Sequence, residues 1–126
     1  MKLGAEDIEL IKTMDWVRYN KLDKIIWHTA NERSVSPQSG SILKRKGVKA
    51  GVADLTVARQ SNGYPGMYLE LKVKGGKLSE HQRIFLHDME EEGYKTAIAW
   101  SSDEAIQCIA EYLNLDKAHH NKADHE

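Results

Sequence analysis

The stretch Gly66–Gln82, "GMYLELKVKGGKLSEHQ", decides how this chain is read. From Met67 to Lys74 it alternates, with Met67, Leu69, Leu71 and Val73 apolar and Tyr68, Glu70, Lys72 and Lys74 polar. A period of two is that of a β-strand, in which residues of one parity share a face. Glu70 and Lys72 therefore stand side by side. The glycines that follow end the strand. Ser79 and Gln82 then have the spacing of N-cap and N3 in a capping box, which predicts a helix that stops at Gly93.

Working outward, "GVADLTVA" (Gly51 to Ala58) is a β-branched strand, joined to the first by the turn-rich "RQSNGYPG". The two predict an antiparallel hairpin. Upstream, Leu10, Met14 and Val17 form the apolar stripe of a helix from about Ala5 to Arg18. A short strand in "KIIWHTA" (Lys24 to Ala30) and a polar loop from Asn31 to Gly40 follow. "SILKRKG" is a short basic helix or turn ended by Gly47. Downstream, "YKTAIAW" (Tyr94 to Trp100) is an inner strand, and Asp103 to Leu113 a closing helix. The order α-β-α-β-β-α-β-α packs most economically as an α/β domain, a central mixed sheet flanked by helices. That domain spans residues 1–113. Residues 114–126 are a polar tail without apolar period, and a frayed end is expected there.

With 126 residues, 40% hydrophobic and 29% charged, there is room for one globular domain with a real core. No run is long enough to span a membrane, and "MKLGAEDIEL" lacks the apolar segment of a signal peptide. The single Cys108 can form no internal disulfide, which fits a reducing cytoplasm. Its apolar helical surroundings make it a core residue rather than a nucleophile. Trp16, Trp27 and Trp100 also fall in predicted elements, and core packing is expected for them.

The net charge of −1 conceals a polarised chain. Residues 44–78 carry eight basic side chains against two acidic ones, whereas residues 79–126 carry four against eleven. A phosphate backbone would be drawn to the middle third, with Lys44, Arg45, Lys46, Lys49, Lys74 and Lys77 as contacts. The two acids of that third are Asp54 and Glu70. A loop over about residues 58–66 sets Asp54 opposite Glu70 on one face; a shift of one residue points it away. Two adjacent carboxylates repel each other unless a cation lies between them. All-oxygen ligands favour a hard ion, Mg²⁺ or Mn²⁺, and Lys72 beside them would orient a water or neutralise charge developing on phosphorus.

An E-x-K triplet alone arises easily by chance. In combination, "KGVKAGVADL" and "MYLELKVKGGKLSEHQ" resemble the VRR-NUC (virus-type replication-repair nuclease) branch of the PD-(D/E)xK nucleases, of the stand-alone phage and bacterial type. The resemblance runs from the first helix to about Trp100. It implies a restriction-endonuclease-like core, with Asp54, Glu70 and the backbone carbonyl of Leu71 holding the metal and Lys72 as the catalytic lysine. It further implies an acid on the first helix, Glu6, as a ligand directly or through water, with Asp7 as the alternative. Gln82 would stand near the site besides capping its own helix. The proline usual before the first Asp is Ala53 here. His28 and His81 are near in sequence, and a structural or solvent-facing place is expected for each.

The activity implied is metal-dependent DNA cleavage by a homodimer with no organic cofactor. The substrate would be branched DNA, such as four-way junctions or flaps in replication, repair or recombination. The cell would be bacterial or phage-infected. The rival readings are a nuclease-like module that grips DNA without cutting, and a ribonuclease or restriction-type enzyme.

Overall fold

The computed structural model describes residues 2–30 and 36–115. The expected polar tail from 116 onward, with His119, His120 and His125, lies outside the described residues.

Helix α1 (Ala5–Tyr19) turns the expected stripe inward. Val17 is buried with Trp16 and Thr13, and Leu10 and Met14 pack against the same core. Strands β1 (Ile26–His28), β2 (Leu55–Val57), β3 (Met67–Leu71) and β4 (Lys95–Ala99) form one sheet in the order β1-β2-β3-β4. The first two pairings are antiparallel, and β3 pairs parallel with β4 across α3 (Glu80–Glu91). The sheet is mixed and flanked by helices, the α/β arrangement expected.

The pleat sorts the hairpin residues. Leu55, Val57, Met67, Leu69 and Leu71 form the main core with α1 and α4 (Ser102–Tyr112). On the opposite side Tyr68 meets Phe85 of α3 edge-on, in a smaller cluster with Ala53, Leu86 and Val52. At the tip of the hairpin Asn62 and Gly63 both have positive φ, and Ser61 and Tyr64 exchange backbone hydrogen bonds across them. Asn-Gly is the pair that such a turn requires.

Four expectations are corrected. The helix of the basic segment, α2 (Pro37–Arg45), starts inside the expected polar loop. Ser36 caps it and Pro37 supplies its first turn, a start signal that outweighs the polar composition. Strands β1, β2 and β3 are shorter than read, although Thr29, Ala58 and Lys72 just past their ends still donate backbone hydrogen bonds to the neighbouring strand or a residue flanking it. Strand β4 is an edge strand rather than an inner one, pairing with β3 alone among the described strands. Trp27 and Trp100 are 44% and 42% exposed, and only Trp16 is core; Trp27 lies on an edge strand and Trp100 just past one. Cys108 is half-buried against the core as expected, and burial raises its thiol pKa. Asn114, at φ 59°, closes α4, and Leu115 returns to the core. No helix among the described residues is long and apolar enough to cross a membrane.

One glycine ties the chain ahead of β2 to α3. At Gly51, φ is +82° and a Cβ would stand 2.5 Å from the carbonyl carbon and oxygen of His81. At Gly63 φ is +85° with nothing within 4 Å. Gly63→Ala should therefore cost only the left-handed backbone penalty, about 1–2 kcal/mol. Gly51→Ala should cost clearly more in urea denaturation, since backbone atoms must also move. Equal losses would show that the α3 contact imposes nothing on Gly51.

Candidate active site

Where the β2–β3 ladder ends, side chains take over the pairing. Leu55 pairs with Leu69, which brings Asp54 opposite Glu70, the even register. The Asp54 backbone N–H donates to Glu70 Oε1 at 3.1 Å, and the Leu71 N–H donates to Asp54 Oδ2 at 2.8 Å. On its other side the Asp54 carbonyl accepts from the Thr29 N–H at 3.0 Å and stands 2.7 Å from His28 Nδ1. A carbonyl can only accept, so Nδ1 carries the proton, and Nε2 is the ring nitrogen left for other work. Asp54 is thus held from both sides, by Glu70 and Leu71 on one and by His28 and Thr29 on the other.

Glu70 and Lys72 are not surface charges. They are 1% and 8% exposed. Burial, and next the Asp54 carboxylate beside it, push the Glu70 pKa up to about 9, while the Asp54 N–H and the charge of Lys72 pull the other way. Glu70 Oε2 is buried and has no hydrogen-bond partner. An unsatisfied buried carboxylate oxygen is costly, and a cation is what would satisfy it.

In front of Asp54 lies a cleft of about 320 Å³ lined by Glu6, Asp7, Leu10, His28, Ala30, Asp54 and Leu71. Glu70 and Lys72 are not among the residues that line it. Both first-helix acids reach the cleft, but Asp7 Oδ2 already accepts the Gly4 N–H, so Glu6 is the less committed of the two. Among the described residues no three His, Cys, Asp or Glu side chains are placed to hold one ion. A metal here would take two side chains, with a backbone carbonyl and waters making up the rest. The donor set fits a hard divalent ion on those terms.

Gln82 fulfils its capping role, its Oε1 accepting the Ser79 N–H at 2.8 Å while its own N–H donates to Ser79 Oγ. Lys44, Arg45, Lys46, Lys49, Lys74 and Lys77 are all exposed. His81 and His28 are both exposed as expected, and His28 also lines the cleft. Its only sequence signal was a place at the end of a strand beside β2. Glu9, well off the apolar stripe, was also missed. Its Oε1 accepts from Ser102 N and Oγ, which joins α1 to the start of α4 and lowers its pKa.

A family model for the VRR-NUC domain matches residues 9–103, a span that holds Asp54, Glu70, Lys72 and Gln82 and begins just after Glu6. One solved structure, described as a "VRR_NUC domain protein", is similar with a TM-score of 0.75 and 28% sequence identity. The likeness covers 91% of this chain and 93% of that one. Among curated proteins nothing matches.

The raised Glu70 pKa has a definite sign. A carboxyl that titrates near 9 when folded and near 4.5 otherwise adds stability below pH 4.5 and loses it as pH rises toward 9. In EDTA, Glu70→Gln should be more stable than wild type at pH 8, with the gap closing toward pH 5. Urea melts at the two pH values measure this. A gap that widens toward pH 5 would mean that Glu70 is ionised in the metal-free fold.

Proposed function

The chain belongs to the VRR-NUC domain family of nucleases, and from that premise we propose that it is a Mg²⁺- or Mn²⁺-dependent deoxyribonuclease working through Asp54, Glu70 and Lys72. The observation that carries this reading is the partnerless Oε2 of buried Glu70, whose other oxygen accepts the N–H of Asp54, a residue that lines the cleft with Glu6 and Asp7. Asp54, Glu70 and the Leu71 carbonyl would hold the ion, with Glu6 joining through water. The chemistry an ion held there would supply is Lewis-acid polarisation of a phosphodiester and activation of water.

The chain's own residues do the rest. Asp54 keeps Oδ2 on the Leu71 N–H, so Oδ1 is the oxygen available to a ligand. Glu70, whose pKa is raised in the metal-free fold, would release its proton to solvent on binding a cation. Lys72 holds a positive charge beside Glu70, where it steadies the attacking water or the charge growing on the phosphoryl oxygens. Gln82 has committed its Oε1, so its amide NH₂ is what it offers to substrate. The exposed cations Lys44, Arg45, Lys46, Lys49, Lys74 and Lys77 suit a sugar–phosphate backbone.

Branched DNA is the substrate we favour, and a two-fold homodimer would present two sites to a symmetric junction. No organic cofactor is needed. The enzyme would act in the cytoplasm of a bacterial or phage-infected cell. A silent binding module has no use for a buried carboxylate held at such cost.

The test uses labelled linear, flap and four-way DNA in Mg²⁺, Mn²⁺ and EDTA. Asp54→Asn, which keeps an acceptor for the Leu71 N–H, should abolish cleavage. Lys72→Ala should lower the single-turnover rate by about two to three orders of magnitude while calorimetric Mn²⁺ binding survives. Wild-type cleavage by Asp54→Asn would put the site elsewhere. Loss of Mn²⁺ binding in Lys72→Ala would show that the lysine supports the ion rather than the chemistry.

A further inference from the structure

Helix α2 has no buried residue. Nine residues are too few to hold a helix in water by propensity alone, and this one is completed at both ends by its own sequence. Ser36 Oγ accepts the Ser39 N–H at the start. At the end the Gly47 N–H donates to Lys44 O and the Val48 N–H to Leu43 O, with Gly47 at φ +94°. Those two bonds are the Schellman closure, in which the residue after the glycine packs on the helix's third-last position.

The contents of this self-capped unit are one-sided. Lys44, Arg45, Lys46 and Lys49 lie within residues 36–53, where no acidic residue occurs. Ile42, at 55%, is the most exposed large hydrophobic side chain among the described residues. A single exposed isoleucine is ordinary. This one sits on a helix built entirely of exposed or half-buried positions and surrounded by cations. From α2 the chain runs to Gly51, pressed against the first turn of α3, and three residues later supplies Asp54. The unit is therefore tethered to the active-site strand by a short, anchored connection.

We propose that α2 is a nucleic-acid arm that recognises interrupted base stacking. The four cations hold the sugar–phosphate backbone, and Ile42 rests on base faces opened at a branch point. Apolar side chains flanked by cations are how proteins occupy unstacked base steps. Charge complementarity chooses the partner: four exposed cations without an acid among them suit a sugar–phosphate backbone, and a regular duplex exposes no base face to Ile42. The proposal rests on the deoxyribonuclease reading and assigns the preference for branched substrate to one side chain.

Wild type, Ile42→Ala and the Lys44→Ala/Arg45→Ala pair would be compared in EDTA on a four-way junction and on linear duplex of equal length. 2-Aminopurine at the branch point reports unstacking, and anisotropy reports affinity. Wild type should raise the 2-aminopurine emission on the junction. Ile42→Ala should lose most of that rise and about tenfold in junction affinity, with duplex affinity within about twofold of wild type. The paired lysine and arginine variant should weaken both substrates and flatten the salt dependence, by about 0.9 in log–log slope for each phosphate no longer neutralised. Ile42→Ala that matches wild type on both substrates, or that weakens both alike, overturns the arm. Wild type that binds neither DNA instead overturns the nuclease reading.

Discussion

The reciprocal pair of hydrogen bonds between Asp54 and the end of β3 is the constraint on which the site depends. The Asp54 N–H reaches Glu70 Oε1, and the Leu71 N–H reaches Asp54 Oδ2, so each strand contributes one donor and one carboxylate. These bonds prolong the hairpin one step past its backbone ladder. They also prevent the two acids from swinging apart to relieve their repulsion. A pair free to rotate would solvate itself; a pair used as structural acceptors stays facing, with Glu70 buried and Asp54 at the cleft.

That arrangement has an energetic consequence for the rest of the molecule. Glu70 is buried with an unpartnered oxygen, a defect of the kind that costs a few kcal/mol in a fold whose whole margin is about 5–15 kcal/mol. The defect is tolerated because its neighbours leave it no alternative. Leu69 and Leu71 on either side belong to the main core, Tyr68 is clasped by Phe85 and Tyr94, and β3 is paired on both edges. The most tightly determined strand of the sheet carries its least favourable residue.

Much of this was legible in the sequence, for local reasons. Alternation in Met67–Lys74 is a one-strand signal, the Ser79–Gln82 box a one-turn signal, and the hairpin register needs only a short loop length. The misses needed information from elsewhere in the fold. Strand β4 reads as inner because "YKTAIAW" is apolar, yet its edge position is set by where the α3 crossover returns it. Trp27 and Trp100 follow from that sheet order. His28 becomes a cleft residue only because β1 pairs with β2, and Glu9 finds Ser102 across 93 residues. The burial of Glu70 and Lys72 was equally hidden: alternation gives a face, and only the tertiary fold says what covers it.

The self-capped build of α2 bears on how this protein can change over generations. Substitutions in a helix that buries nothing carry no cavity or overpacking cost, provided Ser36 and Gly47 remain. Drift there alters what the surface presents while leaving folding nearly untouched. Asp54, nine residues past the end of the helix, belongs to a pair whose side chains the proposed chemistry does not let vary. One short span thus joins a region open to selection for new specificity to one that selection must hold still.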